Sequence, residues 1–284
     1  MSLSVTTYES SAAFLERAET YLHQEEPVNL HLLSLCATIS NFPRRRRNVP
    51  FMATVEDGEA LAAAAVIMPP KPITIYCSLA DARPALSALI GRLQEEGRVV
   101  WGVIGPARDA DQFAAIWEKD VGGMVQPYRQ HRIYIRTEPK AFPPIDGNLR
   151  LAGADDFEQI VDWIKDSPET RELGGDPEVV RIAASQLIQN DDAYVWDNKG
   201  IVAMVAQARR TERGMSLGQV FTEPASRRQG YAAAALATLG NKLITEGWEY
   251  CIVMADLSYP HAEAVCQAAG YESLQDFVEY RFSG

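Results

Sequence analysis

Residues 218–233 read Gly218-Gln-Val-Phe-Thr-Glu-Pro-Ala-Ser-Arg-Arg-Gln-Gly-Tyr-Ala-Ala233, and this stretch decides the fold. A short apolar strand around Val220 and Phe221 runs into a turn that contains Pro224. The turn ends in Arg227-x-x-Gly230-x-Ala232, and a long apolar helix is predicted from Ala232 to about Glu246. A helix N-terminus carries backbone N–H groups without intrahelical partners and the positive end of the helix dipole. Such an end suits an anion, phosphate above all. Gly230 lets the backbone come close to that anion with no Cβ in the way. Ala232 keeps the entry turn small, and Arg227 and Arg228 add fixed positive charge. The absence of Gly-Lys-Ser/Thr excludes a P-loop, and the absence of G-x-G-x-x-G after a strand excludes the dinucleotide fingerprint.

Downstream, residues 250–255 (Tyr-Cys-Ile-Val-Met-Ala) read as a strand, Asp256 to Tyr271 carry a helix that ends in Gly270-Tyr271, and Asp276 to Phe282 read as a closing strand. Strand, Arg-x-x-Gly-x-Ala loop, helix, strand, helix and Gly-Tyr in this order resemble the GNAT N-acetyltransferases, whose pyrophosphate loop is [Q/R]-x-x-G-x-[G/A]. The resemblance implies an α/β fold with a mixed sheet and acetyl-CoA (or CoA) as cofactor. It also implies direct transfer of acetyl to an amine. Val220, Phe221 and Thr222 would offer backbone groups to the pantetheine and thioester. Arg227, Arg228, Gln229, Gly230, Tyr231 and Ala232 would form the phosphate loop.

The chain departs from the family where the chemistry is done. Four residues before the Gly-Tyr pair, where the family often has a tyrosine that protonates the departing thiolate, stands Cys266. Where an asparagine commonly starts that helix, before proline, stands Tyr259. A subset of the family with Asp-Leu-x-Asn-Pro at this point is matched at Asp256, Leu257 and Pro260. A buried thiol is a weak donor that stays neutral. Three readings stay open: protonation by water or by the hydroxyl of Tyr259, Tyr271 or Tyr231; departure of the thiolate unaided; or acyl-CoA binding without turnover, as in a sensor module. The catalytic residues are not assigned. Glu223, Tyr259 and Cys266 are candidates, and Asp256, His261 and Glu263 are further carboxylates and imidazole near the opposite strand end.

The first half of the chain repeats the plan. Helices are predicted at Ser11–Gln24 and Val28–Ile39, strands at Phe51–Val55, Ala60–Met68 and Ile73–Cys77, and a helix at Ala82–Glu95. Strand Val99–Ile104, helix Asp111–Asp120 and strand Arg129–Arg136 follow. The Pro-rich stretch Glu138–Gly147 separates this half from the next. The expectation is two tandem GNAT-like domains, 1–140 and 148–284. After Ile73–Cys77 the chain reads Ser78-Leu-Ala-Asp-Ala-Arg-Pro84, with no Arg-x-x-Gly-x-Ala, so the first domain is expected to keep the fold without the cofactor. Tandem layouts with one degenerate unit also occur in mycothiol synthases and glycine N-acyltransferases, a similarity of architecture that names no acceptor.

The 284 residues are 47% hydrophobic and 23% charged, as a folded protein is, and the formal net charge is −11. Residues 1–140 hold 15 basic against 16 acidic side chains, and residues 141–284 hold 12 against 22. The half with the expected anion site is therefore the acidic one, and local geometry must hold the phosphates. The surplus acid favours an amine over nucleic acid as acceptor. No apolar run reaches membrane-spanning length and no signal pattern opens the chain. Cys36, Cys77, Cys251 and Cys266 lie far apart, which points to reduced thiols in the cytoplasm and to no zinc site. Arg44-Arg-Arg-Arg47 reads as a solvated loop first, as a contact to the adenosine phosphate second, and as a nucleic-acid site last. Gly102-Val-Ile-Gly-Pro106 reads as a strand-ending turn, and Trp101, Trp117 and Trp163 as core. The expected partner is a small-molecule amine, with no nucleic acid and no membrane, and the protein a monomer or homodimer.

Overall fold

The computed structural model describes residues 3–40, 49–167 and 176–283. Arg44–Arg47 lie outside the described residues. The chain divides into two compact units, Met1–Ile133 with Asp256–Ser258 and Gln275–Gly284, and Tyr134–Ala255 with Tyr259–Leu274. The expected domains, 1–140 and 148–284, are each one continuous stretch. Residues 256–258 and 275–284, however, group with unit 1, and residues 134–147 with unit 2.

Unit 1 contains strands β1 (Leu3–Thr7), β2 (Phe51–Asp57), β3 (Ala60–Ile67), β4 (Ile73–Cys77) and β5 (Gly102–Pro106), most of β6 (Met124–Arg136), and most of β12 (Glu272–Ser283). Their order is β1-β2-β3-β4-β5-β12-β6. β4 and β5 run parallel, while β1 to β4 and the β5–β12 pair are antiparallel. Helices α1 (Ser11–His23) and α2 (Glu26–Ser40) cover one face; α3 (Arg83–Glu95) and α4 (Ala107–Asp120) cover the other. The two-residue alternation of β2 sorts these faces. Phe51, Ala53 and Val55 pack under α3 and α4, and Met52 packs under α1 and α2. Ser10 starts α1 as its cap, its side chain accepting from the Ala13 N–H at 3.2 Å.

The Gly102–Pro106 segment is strand β5, not a turn. Its glycines sit where neighbouring strands press in: a Cβ on Gly102 would stand 2.0 Å from the Tyr280 carbonyl oxygen, and one on Gly105 2.7 Å from that of Ile75. The shift of the strand leaves Trp101 41% exposed, whereas Trp117 and Trp163 are core as expected.

Unit 2 contains β7 (Asn148–Leu151), β8 (Ala193–Asp197), β9 (Ile201–Arg210), β10 (Gly214–Thr222) and β11 (Tyr250–Asp256, to Ala255), with the end of β6 beside β11, in the order β6-β11-β10-β9-β8-β7. β10 and β11 are parallel, and β7 to β10 are antiparallel. Helices α5 (Phe157–Lys165) and α6 (Pro177–Gln189) cover one face, and α7 (Tyr231–Thr245) and α8 (Ala262–Ala268) the other. Ala203 and Val205 of β9 face α7, and Met204 faces α5. In α7 a row of alanines lets the helix lie close to the sheet. Leu236, Leu239 and Leu243 anchor it, each buried leucine contributing about 1.5–3 kcal/mol.

Arg136 of β6 is almost fully buried in unit 2, with no carboxylate partner among the described residues. Backbone carbonyls of Ala237, Ala269, Glu138 and Lys140 and the side-chain oxygen of Asn241 accept its N–H groups. The guanidinium therefore ties the start of the linker to α7 and α8 without needing an anion.

Candidate active site

The site is built around the far end of β10. Its parallel ladder with β11 runs from Gly214↔Tyr250 to Leu217↔Val253 and stops there. Beyond Leu217, β10 stays paired with β9 on its other side, but through a bulge. Gly218 faces Ala206 and Phe221 faces Met204, so two residues of β10 stand against one of β9. Gln219 in the bulge has φ +49, a left-handed conformation uncommon for a side-chain-bearing residue. The bulge turns the 218–222 backbone, and the half-exposed Val220 lies on this open stretch.

The chain then enters a short 3-10 turn, Pro224–Ser226, and two left-handed residues, Arg228 (φ +63) and Gly230 (φ +88), deliver it into α7. Gly230 is the N-cap and has no side chain with which to satisfy the helix end. The first helical hydrogen bond is Ala234 N–H to the Gly230 carbonyl at 2.9 Å. The N–H groups of Tyr231, Ala232 and Ala233 therefore precede any intrahelical acceptor. A Cβ at Gly230 would meet no protein atom within 4 Å, so the helix start is uncrowded at its cap. The glycine is favoured here by its backbone angle, φ +88, and not by crowding.

Side chains brace the loop. The Arg227 guanidinium lies over the Phe221 ring, 5.8 Å from its centroid, and its Nε donates to the Thr222 carbonyl at 3.1 Å. Phe221 stacks in turn on Trp163 of α5 at 5.5 Å. The Tyr231 side chain turns into the core, where its hydroxyl accepts from Asn198 Nδ2 at 2.8 Å and donates to Gln229 Oε1 at 3.3 Å. Tyr231 therefore offers the helix end its backbone N–H, not its phenol. Asn198, in the β8–β9 turn, is a brace that no motif in the sequence marks. Arg228, Gln229 and Gly230 are exposed.

The candidates for acid and base are spread over the same end of unit 2 and beyond. Glu223 follows β10 directly, half-buried, its N–H bonded to the Val202 carbonyl at 3.0 Å. Tyr259 is 44% exposed, and His261 is exposed at the start of α8. Glu263, on the first turn of α8, accepts a hydrogen bond from the Tyr134 hydroxyl at 2.8 Å. Asp256 groups with unit 1, where Oδ1 accepts from the Ser258 N–H (2.8 Å) and hydroxyl (2.6 Å), and Oδ2 lies 3.9 Å from Arg129 Nε. Cys266 is buried in the core under α7, and burial, with the Glu263 charge adding to it, pushes its thiol up to about 12. Tyr271 is buried against Gly240 of α7, and burial pushes its phenol well above the ordinary tyrosine range. Gly240 is nine residues along α7 from Tyr231, about 14 Å at the helical rise, so the Tyr271 phenol is far from the loop. Among the described residues no group of three or more His, Cys, Asp or Glu is placed to hold a metal, and no helix is long and apolar enough to cross a membrane.

No protein-family model matches the sequence, and no curated protein matches it. Solved structures do match, and over the whole chain. An acetyltransferase of the GNAT family from Colwellia psychrerythraea has 15% sequence identity and a TM-score of 0.60, with 99% of this chain and 100% of that one covered. A GCN5-related N-acetyltransferase from Sphaerobacter thermophilus has 15% identity and a TM-score of 0.61, with 98% and 95% covered. A tandem GNAT protein from the clavulanic acid biosynthesis pathway, solved without AcCoA, has 11% identity and a TM-score of 0.54, with 98% of each chain covered. The fold is that of the GNAT acetyltransferases in tandem form, as the order of elements around the loop and its repetition in the first half implied.

Proposed function

We propose that unit 2 binds an acyl-CoA, acetyl-CoA foremost, and that the protein transfers the acyl group to an amine. The observation that carries this reading is the end of the parallel β10–β11 ladder at Leu217 and Val253, ahead of a helix capped by Gly230 whose first N–H groups have no intrahelical acceptor and whose cap is uncrowded. The helix end suits a pyrophosphate. Arg228, exposed beside it, and the Arg227 guanidinium, also exposed, add charge. The Val220–Thr222 stretch, beyond the end of the β11 ladder, suits an extended amide-bearing arm. The fold likeness supports acyl transfer as the class of reaction.

In the transfer, the amine nitrogen forms the new C–N bond and the thioester C–S bond breaks. The amine gives up its proton, and the sulfur leaves as thiolate. Glu223, beside the open strand end, is the carboxylate best placed by the chain to take that proton. Cys266 stays a neutral thiol in the core, so no step is assigned to it; a thiolate is a good enough leaving group to depart unaided. The acidic surroundings of unit 2 favour a cationic acceptor. Four free, buried cysteines support a cytoplasmic setting.

The same buried Cys266 favours a second reading, an acyl-CoA-binding module without turnover. Release of free thiol from acetyl-CoA, measured across amines, amino acids and peptides, separates the two. Acceptor-dependent release above the protein-free rate supports the transferase. Saturable acetyl-CoA binding with no release across the panel supports the binding module.

A further inference from the structure

In unit 1 the corresponding strand edge is hydrogen-bonded by the chain's own side chains. The parallel β4–β5 ladder pairs Ile73 with Val103 and Thr74 with Ile104, and ends there. Cys77 lies three residues past Thr74, as Val220 lies three residues past Leu217 in unit 2. The Ser78 N–H is bonded to the Ala62 carbonyl of β3 at 3.1 Å, so the N–H and C=O of Cys77, one residue earlier, point away from β3, toward the β5 side. Both are taken there. Asp109 Oδ2 accepts from the Cys77 N–H at 2.9 Å, and Arg108 Nη2 donates to the Cys77 carbonyl at 2.6 Å. Arg108 and Asp109 also bind each other, Nε to Oδ1 at 2.8 Å. The Asp109 side chain is fully buried, while that of Arg108 is 46% exposed. In unit 2 the sole side-chain bond to the backbone of 218–222, among the described residues, is Arg227 Nε to the Thr222 carbonyl.

We propose that Arg108 and Asp109 form an internal plug: together they supply one acceptor and one donor to a strand edge, the pair of hydrogen bonds that an amide of an extended acyl carrier would supply in unit 2. The first crevice is closed by occupation, not merely left without a phosphate loop, and the chain carries one acyl-CoA site. The comparison with unit 2 rests on the reading of that unit as an acyl-CoA site; the closure of unit 1 does not.

The experiment is amide hydrogen exchange on fragments covering 73–79 and 216–223, together with the stoichiometry of acetyl-CoA binding by titration calorimetry. The wild-type protein is expected to bind one acetyl-CoA per chain. The ligand should slow exchange at least tenfold in 216–223 and leave 73–79 unchanged. In R108Q/D109S the Cys77 amide should exchange at least tenfold faster than in wild type, while the amide of Thr74 keeps its rate. Should the double variant fail to fold, R108Q alone, at a half-exposed position, still removes the guanidinium that bonds the Cys77 carbonyl and holds Asp109, and should speed Cys77 exchange severalfold. Two equivalents of acetyl-CoA, or slowing of 73–79 by acetyl-CoA, would overturn the plug. So would an unchanged Cys77 rate in the folded variants. A wild-type protein that binds no acetyl-CoA refutes the reading of unit 2 instead, and the exchange rate of Cys77 in the variants then decides the plug by itself.

Discussion

Replacing Gly230 by asparagine and, separately, by aspartate isolates the charge term of the proposed phosphate site. The two side chains have nearly the same size, and both tolerate a left-handed backbone better than other residues. Gly230 has φ +88, so either substitution costs backbone strain of about 1–2 kcal/mol. Nothing lies within 4 Å of the new Cβ, so neither adds a clash. Both variants should therefore unfold in urea at nearly the same midpoint, somewhat below wild type. Their affinities for CoA should part. A carboxylate about 5 Å from a phosphate charge repels it by about 1–3 kcal/mol for an effective dielectric between water and a protein surface. That corresponds to a dissociation constant roughly 5- to 150-fold weaker for Gly230→Asp than for Gly230→Asn. Titration calorimetry with CoA reads the ratio directly, and 1 M salt should shrink it. Equal dissociation constants for the two variants at low salt would refute the placement of phosphate at this helix end.

Arg227→Ala and Arg228→Ala should each weaken CoA binding by about 1–3 kcal/mol, with pantetheine, which lacks the phosphates, insensitive to both; if both variants bind CoA as wild type does, the arginines are surface charge. Cys266→Ala should keep most of the acyl-transfer rate. With the thiol pushed up to about 12, the rate should rise with pH as the acceptor amine deprotonates, with no break that the substitution abolishes; a large loss in a folded, CoA-binding variant would assign the sulfur a role. Asp156 accepts from Arg150 at 2.7 and 3.0 Å and from the Gly153 N–H at 2.8 Å, and the Arg150 hydrogen bonds, foremost, hold its carboxyl below the usual range. A depressed carboxylate contributes stability above its unfolded value near 3.8 that is lost as pH falls through the lower folded value. Asp156→Asn should therefore cost about 1–3 kcal/mol at pH 7 in urea unfolding, and the gap to wild type should close as pH falls below about 4; a gap that persists at pH 2 would show that charge is not what the aspartate contributes.

Local pattern carried the elements whose edges are marked by proline, glycine or polar pairs. β4 (Ile73–Cys77) coincides with its expected ends because Pro72 directly precedes it. β1 went unread, since Leu3-Ser-Val-Thr-Thr7 has two apolar residues and gains its pairing from β2, fifty residues away. β5 was placed three residues early because Gly102, Gly105 and Pro106 look like a turn. Only the approach of Tyr280 and Ile75, distant in sequence, makes those glycines strand residues. At the site, Gly230 and its helix were legible from the spacing alone. The left-handed angles at Gln219 and Arg228 were not, for neither residue type announces one. Nor was the grouping of 275–284 with unit 1, or the reach of Asp109 to Cys77, because each depends on tertiary placement.

The most direct test is a crystal structure of the protein with acetyl-CoA. The account predicts the pyrophosphate within hydrogen-bond distance of the Tyr231, Ala232 and Ala233 N–H groups, and the pantetheine amides along Val220 to Thr222. Acetyl-CoA bound elsewhere on the chain, or a protein that takes up none at millimolar ligand, would contradict it.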